Sequence, residues 1–408
     1  MVENSSSKIK IAVFTNQFPG KVNTFFARDI VALMQGGFDV DIFPVYPIKK
    51  EYWEFVPQKY QDILKESAGL VYQPPYPIRG IPTYLRKDVS QILRDSSRFG
   101  LSQWGKSYYV IQQALNWAKC VENKYQIFLS FWGNYAATYA YLAKKASRSQ
   151  APFSFYLHAG TDLYRDQIFL EQKILAASVV LSVCEFNKKF LQTLYPQSYP
   201  FFEERVLIHH LGVNLKDLSF CPDGRQETTI LAVGSLFPAK GFHLLIKAFA
   251  QVVERLPNLV LILIGEGPER KRIDHLICKL GVKEKVILLG HLPFDQVIGY
   301  MRNSTILVHP SLGLGDAVPT VIKESLALGL PVIASDVAGI PELLNHGECG
   351  VLVPSGDVNA LSKAILKLMT DESLRLEYAH TGREWACQMF DLEKTGKRLS
   401  QILQQTVK

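Results

Sequence analysis

Two carboxylates in "DAVPTVIKESLALG", Asp316 and Glu324, stand among Val318, Val321, Ile322, Leu326 and Leu328. The preceding "TILVHP" reads as a strand, "SLGLG" as a glycine-bearing loop, and the residues from Pro319 onward as a helix. Proline suits a first helical position because its missing N–H would have no partner there. Such a helix start presents unpaired backbone N–H groups and the positive end of the dipole, which is a site for phosphate. Asp316 on the loop and Glu324 in the second turn repel phosphate but suit hydroxyls, since a carboxylate accepts hydrogen bonds from a vicinal diol. A diphosphate joining a ribose to a second sugar has that pattern. An ordinary loop cap followed by a solvated helix glutamate has the same spacing, so spacing alone leaves both readings open.

Four further stretches carry polar groups at strand ends. In "VGSLFPAKG" a strand ends at Gly234, Ser235 lies in the loop, and Lys240 precedes a helix. A cation at a helix start opposes the dipole and wants an anion. In "LIGEGPER", Gly265 and Gly267 make a tight strand-to-helix turn with Pro268 opening the helix. The third glycine and the downstream acid of a dinucleotide fingerprint are missing. In "LHAGTDLY", His158 ends a strand before small residues and Asp162. It either hydrogen-bonds a sugar hydroxyl or a developing charge, or is merely packed. In "FPGK", Gly20 lets backbone approach a ligand from the first strand-to-helix loop.

Other patterns point away from chemistry. Asp39 and Asp41 in "DVD" fall inside a predicted strand, so they flank an alternation rather than mark a metal site. His209-His210 has no acid or cysteine at ligand spacing. Cys184 has no histidine partner and reads as core. No GxSxG or HExxH motif occurs.

These loops need strands and helices to position them. "TILAV" (229–233), "LVLILIG" (259–265), "VILLG" (286–290), "TILVHP" (305–310), "PVIAS" (331–335) and "GVLVP" (350–354) are short, apolar and β-branched. Helical patterns separate them: in "GFHLLIKAFAQVVERL", Leu245, Phe249, Val252 and Val253 share one face. Continuous apolar strands alternating with helices predict a parallel sheet covered on both sides. The first half repeats the scheme with "KIAVF" (10–14), "DVDIFPV" (39–45), "IFLSFWG" (127–133), "PFSFYLHAG" (152–160) and "SVVLSVCE" (178–185). Its first helix, "NTFFARDIVALMQGG", puts Phe26, Ile30, Leu33 and Met34 on one face and stops at Gly36-Gly37. Residues 47–125, rich in Tyr, Trp and Pro, read as helical and loop insertions. The polar, turn-rich 212–229 reads as a linker, and the chain after Gly382 as helix.

With 408 residues, the chain exceeds what one core supports, and two domains are expected. No apolar run is long enough to span a bilayer. The first ten residues are polar and lack the core of a signal peptide. Six cysteines form no CxxC pair, which fits a reduced, cytoplasmic setting. The net charge of +7 is confined to residues 1–210, which hold 24 Lys+Arg against 17 Asp+Glu. A basic half attracts an anionic membrane surface, a nucleic acid or a phosphorylated substrate, or serves as a solvated face.

Together, "VGSLFPAKG", "LILIGEGP", "VILLGHLP", "ILVHPS", "DAVPTVIKESLALGLPVIASDVAGIPELL" and "GVLVPSGD" resemble, in order and spacing, the donor domain of glycosyltransferase family 4. "HHLGVNL" and the "FPG…NTFFARDI" opening resemble members that build bacterial exopolysaccharides, including the colanic-acid type. The resemblance is strong over about 205–370 and looser over 1–200. It implies an α/β GT-B fold: two Rossmann-like domains with parallel sheets facing across a cleft. Residues 1–210, completed by a C-terminal helix 385–408, would bind the acceptor, and residues 211–384 the nucleotide-sugar. It implies a retaining hexosyltransferase with no obligatory metal or cofactor. The donor is a UDP- or GDP-sugar, the acceptor a glycan or lipid-linked saccharide, and nucleic acid is not expected. Contact with the inner face of an anionic membrane fits the basic first half.

By the same resemblance Glu324 holds the ribose and Asp316 the donor sugar. Lys240 and the backbone of Ala317, Val318, Pro319 and Thr320 hold the diphosphate, with Gly20 facing it. His291 and Leu292 line the base, and His158 the acceptor-side edge of the donor sugar. Three positions depart from the family. Asp316 replaces a glutamate, Ala317 a glycine, and Ser235 an arginine that would share the diphosphate with Lys240. Losing that cation weakens charge neutralisation on the leaving group. Two rivals follow: a non-catalytic scaffold that binds nucleotide-sugar or glycan, and an epimerase or hydrolase of similar build.

Overall fold

A computed structural model of the chain describes residues 8–20, 24–77, 80–121, 124–226, 228–313, 315 and 317–407. The chain divides into two compact units. One runs to Gly212 and takes up the chain again from Leu392, and the other is Val213–Asp391.

In the first unit the described strands are β1 (Ile9–Thr15), β2 (Phe38–Pro44), β3 (Gly69–Leu70), β4 (Ile127–Ser130), β5 (Phe153–Leu157), β6 (Val179–Ser182) and β7 (Val206–Ile208). They make one parallel sheet in the order β3-β2-β1-β4-β5-β6-β7. Ile11 to Phe14 of β1 are fully buried, because helices cover both faces of the sheet. Helix Thr24–Gln35 buries Phe26, Ile30 and Leu33 as its spacing predicts, while Met34 is half-buried. Asp39 and Asp41 point the same way along β2 and meet Lys10 at 2.9 and 3.2 Å. The Tyr125 hydroxyl also donates to Asp41. The "DVD" pair is thus part of an ion-paired surface of the sheet.

The second unit holds β8 (Thr229–Val233), β9 (Val260–Ile264), β10 (Val286–Gly290), β11 (Ile306–His309), β12 (Val332–Asp336) and β13 (Val351–Pro354). All are parallel, in the order β10-β9-β8-β11-β12-β13. This is the doubly wound order whose direction reverses between the first and fourth strands. Two apolar layers flank the sheet. One gathers Phe242, Leu245, Phe249 and Ile365. The other gathers Met301, Ile322, Leu326 and Phe390.

The structure corrects several local expectations. β3 and β7 are too short for a periodicity reading to find. The segment 213–228 is no loose linker. Leu218 is buried, and the Arg225 guanidinium donates to the carbonyls of Met301, Arg302, Ser304 and Leu328. Those carbonyls end two helices, whose last C=O groups lack intrahelical partners. The return to the first unit falls between Asp391 and Leu392 rather than at 384/385, because Trp385 and Phe390 pack in the second unit's core. Pro319 is the residue before the helix, not its first turn. Pro268 lies in a turn, with its helix starting at Arg270.

Candidate functional site

In an open parallel sheet the gap outside the carboxyl ends of the strands, where strand order reverses, is where ligands bind. In the second unit that point lies between β8 and β11. The loop leaving β8 is held there by close backbone contacts. Gly265, after β9, has φ +146°, and a Cβ on it would stand 1.9 Å from the Gly234 carbonyl oxygen. Gly241 has φ +67°, and its Cβ would stand 1.9 Å from the Pro310 carbonyl oxygen. The Leu236 N–H donates to Glu266 O at 2.9 Å, and the Leu312 N–H donates to Ala239 O at 2.7 Å. The ends of β8, β9 and β11 therefore form one rim with no room for side chains between them. Ser235 and Lys240 are half-buried on it.

Helix Thr320–Leu328 follows β11 at the same rim. Its N-cap residue, Pro319, makes no side-chain cap hydrogen bond. Pro319 has no N–H, and the first helix-type bond is the 3.3 Å one from the Ile322 N–H to Pro319 O. The amides of Thr320 and Val321 thus open the helix toward the rim, where its dipole favours an anion. Ile322 and Leu326 pin the helix to the core. Glu324, one turn in, is only 7% exposed. A carboxylate so deeply placed needs polar partners, and this excludes a solvated surface glutamate. Its neighbour Lys323 is fully buried, with its ammonium 5.6 Å from the centre of the Phe390 ring. Ala317 is buried and Val318 half-buried. Asp316 lies outside the described residues. Beyond β10, on the same edge of the sheet, His291 is exposed, while Leu292 is half-buried against the core. One sheet edge therefore carries Ser235, Lys240, His291, Leu292, Thr320 and Glu324.

The first unit has its own reversal point, between β1 and β4. Gly20 is buried in the loop after β1. His158 follows β5, and its Nε2 lies 2.8 Å from Phe131 O, after β4. A carbonyl only accepts, so Nε2 carries a hydrogen. The imidazole stacks on Tyr156 and is flanked by Phe25 and Trp132, with ring centres 5.4–5.8 Å apart. Its own carbonyl accepts from Asn187 Nδ2 at 2.7 Å.

Beneath this histidine are two buried ionisable residues, Lys173 and Asp162, and the lysine carries no sequence signal. Lys173 Nζ donates to Gly133 O at 2.7 Å, Asn134 O at 3.2 Å and Thr138 Oγ1 at 3.2 Å. Asp162 is 3% exposed. Neither carboxylate oxygen has a well-formed hydrogen bond, although the amides of Gly133, His158 and Asn134 lie near enough to favour its ionised form. Burial dominates and pushes Asp162 up. Burial likewise pushes Lys173 down to about 7, against the pull of Asp162.

Lys173 thus sheds its proton in the folded chain near pH 7, whereas the unfolded chain keeps it to about 10.4. The unfolded state binds more protons across that window, so the contribution of Lys173 to stability rises with pH from about 7 upward. We expect the stability of the wild type relative to Lys173→Met to rise by about 2 kcal/mol between pH 7 and 9 in urea unfolding. A flat difference would place this ammonium in water.

Comparison with known proteins agrees with this architecture. The family model for "Glycosyl transferases group 1" matches residues 223–385, nearly all of the second unit. The second unit is thus similar to the group 1 glycosyl transferases, and the two parallel-sheet units have the GT-B fold. The amylovoran biosynthesis glycosyltransferase AmsK of Erwinia amylovora is 25% identical over 90% of this chain and 92% of its own. An exopolysaccharide phosphotransferase of Streptomyces coelicolor is 37% identical over 38% of this chain, a stretch spanning only 16% of that protein's length. Anabaena HepE, solved with UDP and glucose, superposes over 97% of this chain and 100% of its own, with a TM-score of 0.69 and 17% identity.

Proposed function

We propose that the protein transfers a hexosyl group from a UDP- or GDP-sugar to a hydroxyl of a glycan or lipid-linked saccharide, with retention, in building an extracellular or envelope polysaccharide. The observation that carries this reading is the start of helix 320–328 behind Pro319, with a buried glutamate one turn in, at the same end of the sheet as the lysine-bearing rim of β8. That arrangement suits a diphosphate next to a diol. The name of AmsK and the UDP and glucose in HepE support it, while the Streptomyces protein's name shares only the exopolysaccharide setting.

In this reading the N–H groups of Ala317, Val318 and Thr320 and the Lys240 ammonium hold the diphosphate. Glu324 accepts from the ribose hydroxyls, Asp316 from those of the transferred sugar, and His291 and Leu292 border the base. The bond from the anomeric carbon to the β-phosphate oxygen breaks. The acceptor oxygen bonds to that carbon on the same face, and its proton passes to the departing phosphate. The products are the glycoside and a nucleoside diphosphate. The protein supplies orientation and stabilises the leaving charge, with no obligatory metal. Ser235 offers the diphosphate a hydroxyl in place of a second cation.

Calorimetric titration with UDP, GDP and ADP tests the donor half. One nucleotide should bind and, at a hundredfold excess over its Kd, stabilise the chain by about 2.7 kcal/mol. No binding by any of them would sink the reading. Acceptor-dependent release of that nucleotide then separates a transferase from a scaffold, an epimerase or a hydrolase.

A further inference from the structure

Two ionisable side chains from different elements close on one turn of the first unit. Helix Leu170–Ala176 supplies Lys173, 1% exposed, and the turn Gly160–Asp162 supplies Asp162, 3% exposed. The Lys173 ammonium donates to the carbonyls of Gly133 and Asn134 and to the Thr138 hydroxyl oxygen. The Asp162 carboxyl faces the amides of the same Gly133 and Asn134, and that of His158. The lysine thus takes the acceptors of the 133–134 turn, and the aspartate lies toward its donors.

Stability does not account for such a pair. Burying an ammonium and a carboxyl is costly, and apolar residues of similar size often serve a fold as well or better. Leu157, Leu163, Leu170 and Ile174, close by in the chain, are buried and apolar. The attested use of polar groups kept in such a place is to fix one geometry.

That geometry is His158's. Gly133 presses on the end of β5: a Cβ on it would stand 2.5 Å from Leu157 Cδ2 and 3.0 Å from Asp162 O. On the β4 side, Phe131 O takes the His158 Nε2 hydrogen at 2.8 Å, and the Trp132 ring lies 5.8 Å from the imidazole. On the β5 side, Asn187 Nδ2 donates to Leu157 O at 3.1 Å and to His158 O at 2.7 Å, and the Tyr164 hydroxyl holds Asn187 in turn. A shift of the 133–134 turn would carry Phe131 O away from the ring. A shift of the His158 amide would carry the ring away from Phe131 O. We infer that Asp162 and Lys173 are positioning residues: together they lock the 131–134 turn to the His158 backbone, so that the imidazole stands at the sheet edge in one orientation with a hydrogen on Nε2. What His158 does in turnover rests on the transfer reading, whereas where it stands does not.

Two measurements on the full chain keep these apart. Long-range proton–nitrogen spectra of histidine-labelled protein, taken above the ordinary imidazole pKa of about 6.5, should show His158 as the Nε2–H tautomer alone. Its signals are the ones lost in His158→Gln. Asp162→Asn and Lys173→Met should each give a mixture of tautomers. In turnover, each should lower kcat about a hundredfold, as a misplacement of about 1 Å does, and leave the nucleotide Kd unchanged. Thr138→Val removes one of the three acceptors of Lys173. It should lower kcat about fivefold, and it decides the matter if the larger changes prevent folding. In a His158→Ala background, Asp162→Asn should cost less than about twofold more, because both losses run through the same ring. A pure Nε2–H tautomer with wild-type kcat in the variants that fold overturns the inference. So do losses that add to that of His158→Ala, which would leave the pair a role in folding alone. If the wild type turns over no donor, the transfer reading fails and the spectra still decide this inference.

Discussion

Replacing Glu324 with Gln should leave the second unit folded and cut kcat/KM for the sugar donor about a hundredfold, or ~2.7 kcal/mol. The amide keeps the volume of the carboxylate, so the buried position is not hollowed out, and unfolding in urea should shift by less than about 1 kcal/mol. What changes, under the proposed donor geometry, is the bond to the ribose. A charged acceptor becomes a neutral amide that donates as readily as it accepts, and charge-assisted hydrogen bonds carry about 1.5–3 kcal/mol. The loss should appear in nucleotide binding as well as in turnover, because a ribose contact forms before the sugar moves. Steady-state kinetics with calorimetry on the same preparation checks both. Wild-type kinetics in Glu324→Gln would remove this residue from the site, and the proposed donor geometry with it.

The rim of β8 should be the least forgiving part of the second unit. Gly241 has left-handed backbone, which costs an L-residue about 1 kcal/mol. Its added methyl would also meet the Pro310 carbonyl at 1.9 Å. That obstacle is backbone at the end of a central strand and does not swing aside, so Gly241→Ala should destabilise by about 3 kcal/mol or more. Gly224 is a matched control: its φ is +69°, but nothing lies within 4 Å of the added atom. Gly224→Ala should therefore cost only about 1 kcal/mol. Because Lys240 precedes Gly241, the same displacement should also weaken nucleotide binding, which Gly224→Ala should leave alone. Equal stability losses in the two variants would mean that the rim is softer than its contacts indicate.

Much of this was legible in residue patterns, for reasons that differ by element. The buried parallel strands of the second unit announce themselves as continuous β-branched runs, because both of their faces meet helices. β8 and β10 fall on the expected "TILAV" and "VILLG". The opening of helix 320–328 was legible through Pro319, to within one position. The burial of Glu324 was not. Periodicity places it on a helix but does not say what covers it, and this is where a solvated residue and a site residue part. Arg225 looked like a polar linker residue because its partners are backbone carbonyls 76 to 103 positions away, which composition cannot register. Lys173 was invisible for the same reason. A lysine in "LEQKILA" reads as surface until the fold sets the Gly133 and Asn134 carbonyls around it.

The route of the chain bears on its biosynthesis. Helix Leu392–Gln405 packs on helix Thr24–Gln35, where Gly396 sits against Ala32 and leaves no space for a side chain, and Gln404 Nε2 donates to Gly36 O. These contacts join residues more than 360 positions apart, and the whole second unit is translated in between. The second sheet can therefore condense on the ribosome as a closed task, whereas the first, though made earlier, must hold the groove for Leu399, Ile402 and Leu403 open until they emerge. Nascent-chain ordering should run opposite to the direction of synthesis, with the amino-terminal unit completed last.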